Sequence, residues 1–184
     1  MFNSPELASW LWKRLEPIYD YPRITDEYGD IWQSYGLNSM FRFVRYDEND
    51  EFFPHEDGFY QEDFDKRSFA TAIVYLNDVD EERGGSTEFL HHSIKLFPKE
   101  GLGFVFLVDG IFHKGSTLKT GVKYILRSDV MYRAKSLKNP VLKKKIFKVF
   151  KEADDLEGVD GKETECNDLW TKCFELQEEY RQHK

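Results

Sequence analysis

Cysteine is scarce in this chain of 184 residues, which contains only Cys166 and Cys173. The two cysteines lie seven positions apart in a stretch with helical spacing. Their side chains would therefore be separated by two helical turns, which is too far for a disulfide bond. The absence of a cross-link favours a reducing compartment.

Long apolar runs and an excess of basic residues are also lacking. No run of about 18 apolar residues occurs, and the first residues lack the order of a signal peptide. We therefore expect an intracellular protein, cytoplasmic or nuclear, with no membrane partner. The formal net charge of -8 argues against nucleic-acid binding, because phosphate contacts need a basic surface.

Aromatic and β-branched residues are abundant and fall into short runs. Ser4 as N-cap and Pro5 at the first helical position predict a packed helix at the N-terminus. Residues 21–37 show no sustained period and predict an irregular connection. Strands are predicted at 41–46, 69–78, 101–109 and 121–133. Short strands without intervening helices indicate an all-β sandwich or barrel, and a jelly roll is one such fold.

The composition changes after Arg133, where lysine and glutamate replace the strand-forming residues. This segment predicts two helices around a glycine-containing turn, and the second helix has one apolar face. Base rates favour a helical cap on the domain, and a docking surface for a partner is the alternative. We thus expect a main domain over 1–133, with its core at about 38–133, and a C-terminal helical extension over 134–184.

The residues that could carry chemistry are two histidines, a carboxylate and a lysine. His55 and Asp57 are two positions apart in an extended segment, so both can face the same way, and His113 follows a predicted strand. Two histidines and one carboxylate leave three positions open on Fe(II). A motif of the form His-x-Asp is nevertheless common by chance. Lys123 and Arg127 share one side of the last predicted strand, where a buried cation would need an anion such as a carboxylate of 2-oxoglutarate.

Three segments resemble the Fe(II)/2-oxoglutarate-dependent oxygenases of the prolyl 4-hydroxylase-like family. RYDENDEFFPHEDGFY at 45–60 is similar to the family's Arg-Tyr, turn and Pro-His-x-Asp pattern. ATAIVYLNDVDEERGGSTEF at 70–89 resembles its Ala-Thr, Tyr-Leu and Gly-Gly-x-Thr-x-Phe stretch. His113 to Tyr124 resembles its distal histidine and Gly-x-Lys-Trp, with Tyr124 in place of tryptophan. The resemblance covers residues 38–133.

The resemblance implies a double-stranded β-helix (jelly-roll, cupin-like) core with an N-terminal helix and a C-terminal helical hairpin. It also implies Fe(II), 2-oxoglutarate and O2 as cofactors, with ascorbate as a further expected one. The implied iron ligands, which are also the catalytic residues, are His55, Asp57 and His113. The implied contacts to 2-oxoglutarate are Lys123, Tyr46 and Thr87, with Arg127 as the alternative partner of the C5 carboxylate.

The substrate implied by the resemblance is a prolyl or other residue of a protein or peptide, hydroxylated with release of succinate and CO2. Ser68 stands where some relatives have a substrate-contacting arginine, and Arg67 is one place earlier. Arg67 is therefore the candidate substrate contact. A hydroxylase of a free amino acid or other small molecule, and a non-catalytic jelly-roll binding module, remain alternatives. Because the first helix begins so near Met1, the chain could also be a fragment of a longer protein.

Overall fold

The computed structural model describes residues 1–182 and divides the chain into two compact units. The first unit comprises residues 1–20, 35–60 and 68–132, and the second comprises 21–34, 61–67 and 133–184. The predicted domain boundary at residue 133 stays a prediction. No helix within residues 1–182 is long and apolar enough to cross a membrane.

The first unit begins with a short strand and a capped helix. Strand β1 (Phe2–Asn3) precedes helix α1 (Pro5–Leu15), where the Ser4 side chain accepts a hydrogen bond from the Leu7 amide. The predicted cap and first-turn proline are confirmed. The buried residues of α1 are Ala8 and Trp12, while Trp10 is exposed beneath the Arg14 guanidinium. A 3-10 turn (Glu16–Ile18) follows the helix.

The jelly-roll core of the first unit consists of a larger and a smaller sheet. The long strands are β4 (Met40–Tyr46), β7 (Lys66–Tyr75), β10 (Gly103–Leu107) and β12 (Lys123–Ser136). Strand β12 pairs with both β4 and β7, β7 pairs with β10, and β1 pairs with β4. The four predicted strands are therefore confirmed, with bounds shifted by a few residues.

The smaller sheet has the order β5-β11-β8-β9. Its strands are β5 (Phe52–His55), β8 (Thr87–Phe89), β9 (Ile94–Leu96) and β11 (His113–Gly115). Between the sheets lies an aromatic and aliphatic cluster formed by Ile73, Tyr75, Phe89, Phe106 and Ile125. The smaller sheet carries both histidines of the candidate site.

The second unit combines a helical hairpin with residues that the sequence suggested were irregular. Strands β2 (Arg23–Thr25) and β3 (Ile31–Leu37) pair with each other, so the prediction of an irregular connection over 21–37 is wrong. Strand β6 (Gln61–Asp63) pairs with the first residues of β7. Helices α2 (Pro140–Leu156) and α3 (Glu163–Gln182) pack together.

The helical hairpin buries the apolar face predicted for its second helix. Cys173, Leu176 and Tyr180 of α3 pack against apolar residues of α2, and both cysteines are free, as expected. Asp30, fully buried, accepts hydrogen bonds from the Tyr180 hydroxyl at 2.7 Å and from Lys143 Nζ at 3.0 Å. A buried carboxylate is costly without such partners, so these two bonds stabilise the packing of Asp30 against the hairpin.

Candidate active site

His55 and His113 face each other across the pairing of β5 with β11. They are direct cross-strand partners, and their ring centroids are 4.3 Å apart. Nδ1 of His55 lies 2.8 Å from the Phe53 carbonyl oxygen, and Nδ1 of His113 lies 3.0 Å from the Ile111 carbonyl oxygen. A carbonyl oxygen can only accept, so each ring donates from Nδ1, and Nε2 of the neutral imidazole is then the nitrogen available to a metal.

Asp57 brings a carboxylate to the same two nitrogens. It lies two residues after the end of β5, and its side chain is only 3% exposed. Asp57 Oδ1 is 3.5 Å from His55 Nε2, and Asp57 Oδ2 is 4.0 Å from His113 Nε2. One donor atom from each of the three residues lies within 4.8 Å of the others. This spacing and this donor set fit one Fe(II) ion with open positions for further ligands.

Two further side chains hold the Asp57 carboxylate. The Thr71 hydroxyl donates to Asp57 Oδ2 at 2.6 Å, and Arg127 Nη2 contacts Asp57 Oδ1 at 2.9 Å. Thr71 is fully buried. Partners of this kind orient a metal-binding carboxylate and commonly change metal affinity when they are removed. Thr71 was not among the predicted site residues, because only its contact with Asp57 reveals its importance.

The surroundings of His113 are apolar. The Phe106 ring meets the His113 ring edge-on at a centroid distance of 4.6 Å, and Phe89 packs nearby at 5.8 Å. Burial lowers the pKa of His113 below its usual value, against the opposing effects of its hydrogen bond to Ile111 and of Asp57. This shift favours the neutral ring, which is the form that binds a metal.

Lys123 is a buried cation without a carboxylate partner among residues 1–182. It is 3% exposed, and its ammonium group donates to the Gly85 carbonyl oxygen at 2.7 Å. The ammonium also lies over the rings of Tyr46 at 4.8 Å and Tyr75 at 5.5 Å. Burial lowers the pKa of Lys123 to about 8. An anionic ligand would offset this unfavourable burial of charge.

Tyr46 and Thr87 line the same cavity as Lys123, and their contact with 2-oxoglutarate stays a prediction. Tyr46 is the direct cross-strand partner of Lys123, and burial raises the pKa of its phenol. The Thr87 side chain is hydrogen bonded to the Tyr75 hydroxyl at 2.7 Å. Tyr75 also donates to the Leu96 carbonyl oxygen at 3.0 Å, and burial raises its pKa to about 12. Tyr75 was missed from sequence because a buried strand tyrosine is usually a core residue.

One cavity of about 320 Å³ joins the three metal donors to the lysine. This volume is at the lower end of the range for small-molecule sites. The cavity is lined by Arg42, Val44, Tyr46, Phe52, His55, Asp57, Ile73, Thr87, His113, Gly115, Lys123, Ile125 and Arg127. Its walls thus carry the cations Arg42, Lys123 and Arg127 but a single carboxylate, Asp57. Such a balance suits anionic ligands.

Arg127 belongs to the first unit and Arg67 to the second. Arg127, predicted as the alternative partner of the C5 carboxylate, contacts Asp57, so Lys123 is the freer cation for that carboxylate. Arg67, the candidate substrate contact, belongs to the second unit, where it lies opposite Gln61 in the β6–β7 pairing. Its role in substrate binding stays a prediction.

The part of the chain that contains these residues matches a known protein family. Residues 41–128 match the family model of the 2OG-Fe(II) oxygenase superfamily. A viral collagen prolyl hydroxylase from Paramecium bursaria Chlorella virus-1, solved as its 2OG complex, has a similar fold with a TM-score of 0.51. The two sequences are 22% identical, and the alignment covers 73% of this chain and 77% of that chain. A Pseudomonas putida prolyl-4-hydroxylase aligns over 49% of this chain and 50% of that chain, with 22% identity and a TM-score of 0.41. No curated protein matches the chain.

Proposed function

We propose that this chain, whose jelly-roll core is a 2OG-Fe(II) oxygenase domain, hydroxylates a prolyl or other residue of a protein or peptide. The cosubstrates of such a dioxygenase are 2-oxoglutarate and O2, and its metal is Fe(II). The observation that carries the proposal is that one cavity contains both a two-histidine, one-carboxylate donor set and a buried lysine that pairs with no carboxylate of residues 1–182. Ascorbate remains an expected further cofactor.

In this proposal the two histidines, His55 and His113, hold Fe(II) through their Nε2 atoms, and Asp57 holds it through a carboxylate oxygen. When bound, the metal with 2-oxoglutarate and O2 supplies the oxidation of a substrate C–H bond to an alcohol, with release of succinate and CO2. The backbone carbonyls of Phe53 and Ile111 keep both imidazoles in the metal-binding tautomer.

Lys123 binds the C5 carboxylate of 2-oxoglutarate in this proposal, and Tyr46 and Thr87 support that end of the cavity. A protonated ammonium can exchange its bond to the Gly85 carbonyl for a stronger, charge-assisted bond to a carboxylate. The apolar residues between this end and the metal, Val44 and Ile125, exclude water from the cosubstrate. This division of the cavity fixes which end of 2-oxoglutarate faces the metal.

A peptidyl substrate is favoured by the solved structure of similar fold, which is a collagen prolyl hydroxylase. Phe52 lines the cavity and is 47% exposed, so its ring gives the cavity an apolar surface that reaches solvent. Such a surface suits a chain that passes across the opening.

The experiment is a succinate assay with Fe(II), 2-oxoglutarate and a panel of proline-containing peptides, with free amino acids as the second panel. Peptide-dependent succinate formation that Asp57→Ala abolishes is the expected result. Formation only with free amino acids would replace the peptidyl substrate with a small molecule. Full succinate formation by a folded Asp57→Ala variant would refute the metal site. Iron binding without any 2-oxoglutarate consumption would favour a non-catalytic binding module.

A further inference from the structure

Strands β4 and β12 form one wall of the cavity, with a lysine at one end of the wall and two arginines at the other. Three cross-strand pairs line it, namely Tyr46–Lys123, Val44–Ile125 and Arg42–Arg127. The central pair is apolar, so the lysine and the two arginines are separate features of the wall. Along a strand, four residues span about 13 Å, which is the separation of the Lys123 and Arg127 backbones.

The arginine end is not explained by the C5 carboxylate of 2-oxoglutarate. The end carbons of a five-carbon chain are about 5 Å apart, much less than the spacing of the two ends of the wall. The head groups also have different partners, since Lys123 Nζ contacts the Gly85 carbonyl while Arg127 Nη2 contacts Asp57. A C5 carboxylate at Lys123 is therefore not shared with the arginine pair, and in the proposed function the other carboxylate of 2-oxoglutarate binds the metal.

The charges at the arginine end are incompletely balanced. Arg42 and Arg127 are direct cross-strand partners, and like charges in that position repel. Arg127 Nε is buried and has no hydrogen-bond partner among the described residues, although Nη2 of the same side chain contacts Asp57. A buried donor without an acceptor is costly, so this nitrogen marks a place where an acceptor is expected.

The nearby carboxylates do not remove this imbalance. Asp57 is the proposed metal ligand, and its second oxygen is already bonded to Thr71. Asp129 follows on the same face of β12, but burial raises its pKa against the opposing effects of Arg127 and Arg42, and it accepts a hydrogen bond from the Asn38 amide at 3.3 Å. Neither carboxylate supplies an acceptor to Arg127 Nε.

We propose that Arg42 and Arg127 bind a carboxylate of the primary substrate beside the metal site. This inference rests on the proposed function and adds a specificity to it: the hydroxylated molecule is an acid. A guanidinium pair binds a carboxylate through several parallel N–H donors, which fixes its orientation as well as its position. The carboxylate can belong to a free acid or to an acidic side chain of a peptide, and these two sources are distinguished by experiment.

The test measures binding rather than turnover. The full chain is loaded with Mn(II) and 2-oxoglutarate, and dissociation constants are measured by calorimetry for two sets of matched probes. The first set contains N-acetylated amino acids as free acids and as neutral amides. The second contains C-terminally amidated, proline-containing peptides with glutamate and the same peptides with glutamine.

Arg42→Gln is the informative variant, because Arg42 does not touch the metal ligands in the structure as Arg127 does. Arg45→Gln is the matched control, since Arg45 lies on the same strand, is exposed like Arg42, but does not line the cavity and is paired with Asp47. In the wild type and the control, acids of one set are expected to bind at least about tenfold more tightly than their neutral counterparts, as loss of a charged hydrogen bond implies. Arg42→Gln is expected to abolish that preference.

The set that shows the preference identifies the source of the carboxylate. The inference is overturned if no acid in either set is preferred, or if Arg42→Gln retains the preference. It is also overturned if Arg42→Gln weakens 2-oxoglutarate binding as strongly as Lys123→Met does, because the arginines would then hold the cosubstrate. Failure of the wild type to bind Mn(II) and 2-oxoglutarate would instead refute the proposed function.

Discussion

Replacement of Lys123 by methionine tests whether this cavity is built for an anion at the expense of stability. Burial lowers the Lys123 pKa from 10.5 to about 8. Such a shift corresponds to roughly 3 kcal/mol of unfavourable charge burial in the folded protein below pH 8. Methionine has a similar length and no charge, so Lys123→Met removes this cost.

The same substitution also removes favourable contacts of the ammonium group. The Gly85 carbonyl loses its donor, which costs about 1 to 3 kcal/mol for a buried acceptor. The contacts with the Tyr46 and Tyr75 rings are lost as well, at about 0.5 to 2 kcal/mol. Because these effects oppose the relief of charge burial, we expect Lys123→Met to change the free energy of unfolding at pH 7 by no more than about 1 kcal/mol.

The pH dependence separates the opposing effects. The folded-state pKa is lowered, so between about pH 8 and pH 10.5 the unfolded state binds more protons and wild-type stability rises with pH. The stability of the wild type relative to Lys123→Met should therefore increase by about 2 kcal/mol between pH 7 and pH 9.5. Urea unfolding of both proteins at the two pH values measures it.

The control for this measurement is Lys95→Met, which removes an exposed lysine that pairs with Glu88. Its stability difference from the wild type should not change over the same pH interval by more than a few tenths of a kcal/mol. A difference between wild type and Lys123→Met that is independent of pH would refute the argument that Lys123 is a desolvated cation.

Three further predictions follow from other contacts of the structure. 2-Oxoglutarate affinity, measured by calorimetry with Mn(II), should fall about fivefold from pH 8 to pH 9 as Lys123 loses its proton, and constant affinity would exclude an ammonium contact. Thr71→Val removes the hydroxyl that holds Asp57 and should weaken metal binding by about 10- to 100-fold in a metal titration, with unchanged affinity as the contrary result. Tyr180→Phe removes a donor from buried Asp30 and should lower the free energy of unfolding by about 1 to 3 kcal/mol in urea, and an unchanged value would show that this bond is dispensable.

The elements with strong local signals were predictable from sequence. The strands that became β4, β7, β10 and β12 are rich in aromatic and β-branched residues, and the cap of α1 is a local Ser-Pro signal. Strands β5, β8, β9 and β11 are only three or four residues long, which is too short for a reliable period. Strands β2 and β3 were missed because their turn residues mask the alternation.

The candidate site was predictable only in part, for a related reason. His55 and Asp57 are close in sequence, but His113 is brought to them by the pairing of β11 with β5. The family resemblance predicted that His113 joins His55 and Asp57, whereas the spacing of these residues in the sequence could not predict it. Arg42 and Thr71 give no local signal at all, because their importance depends on cross-strand register and on the position of the Asp57 carboxylate.

The central claim is that one cavity holds Fe(II) through His55, Asp57 and His113 and 2-oxoglutarate through Lys123. The most direct measurement is anaerobic addition of Fe(II) and then 2-oxoglutarate, with detection of the weak visible metal-to-ligand charge-transfer band that bidentate chelation produces. We expect the band in the wild type, its loss in His113→Ala, and a higher 2-oxoglutarate concentration for half-saturation in Lys123→Met. A folded, iron-loaded wild type without the band, or an unchanged band in His113→Ala, would contradict the claim.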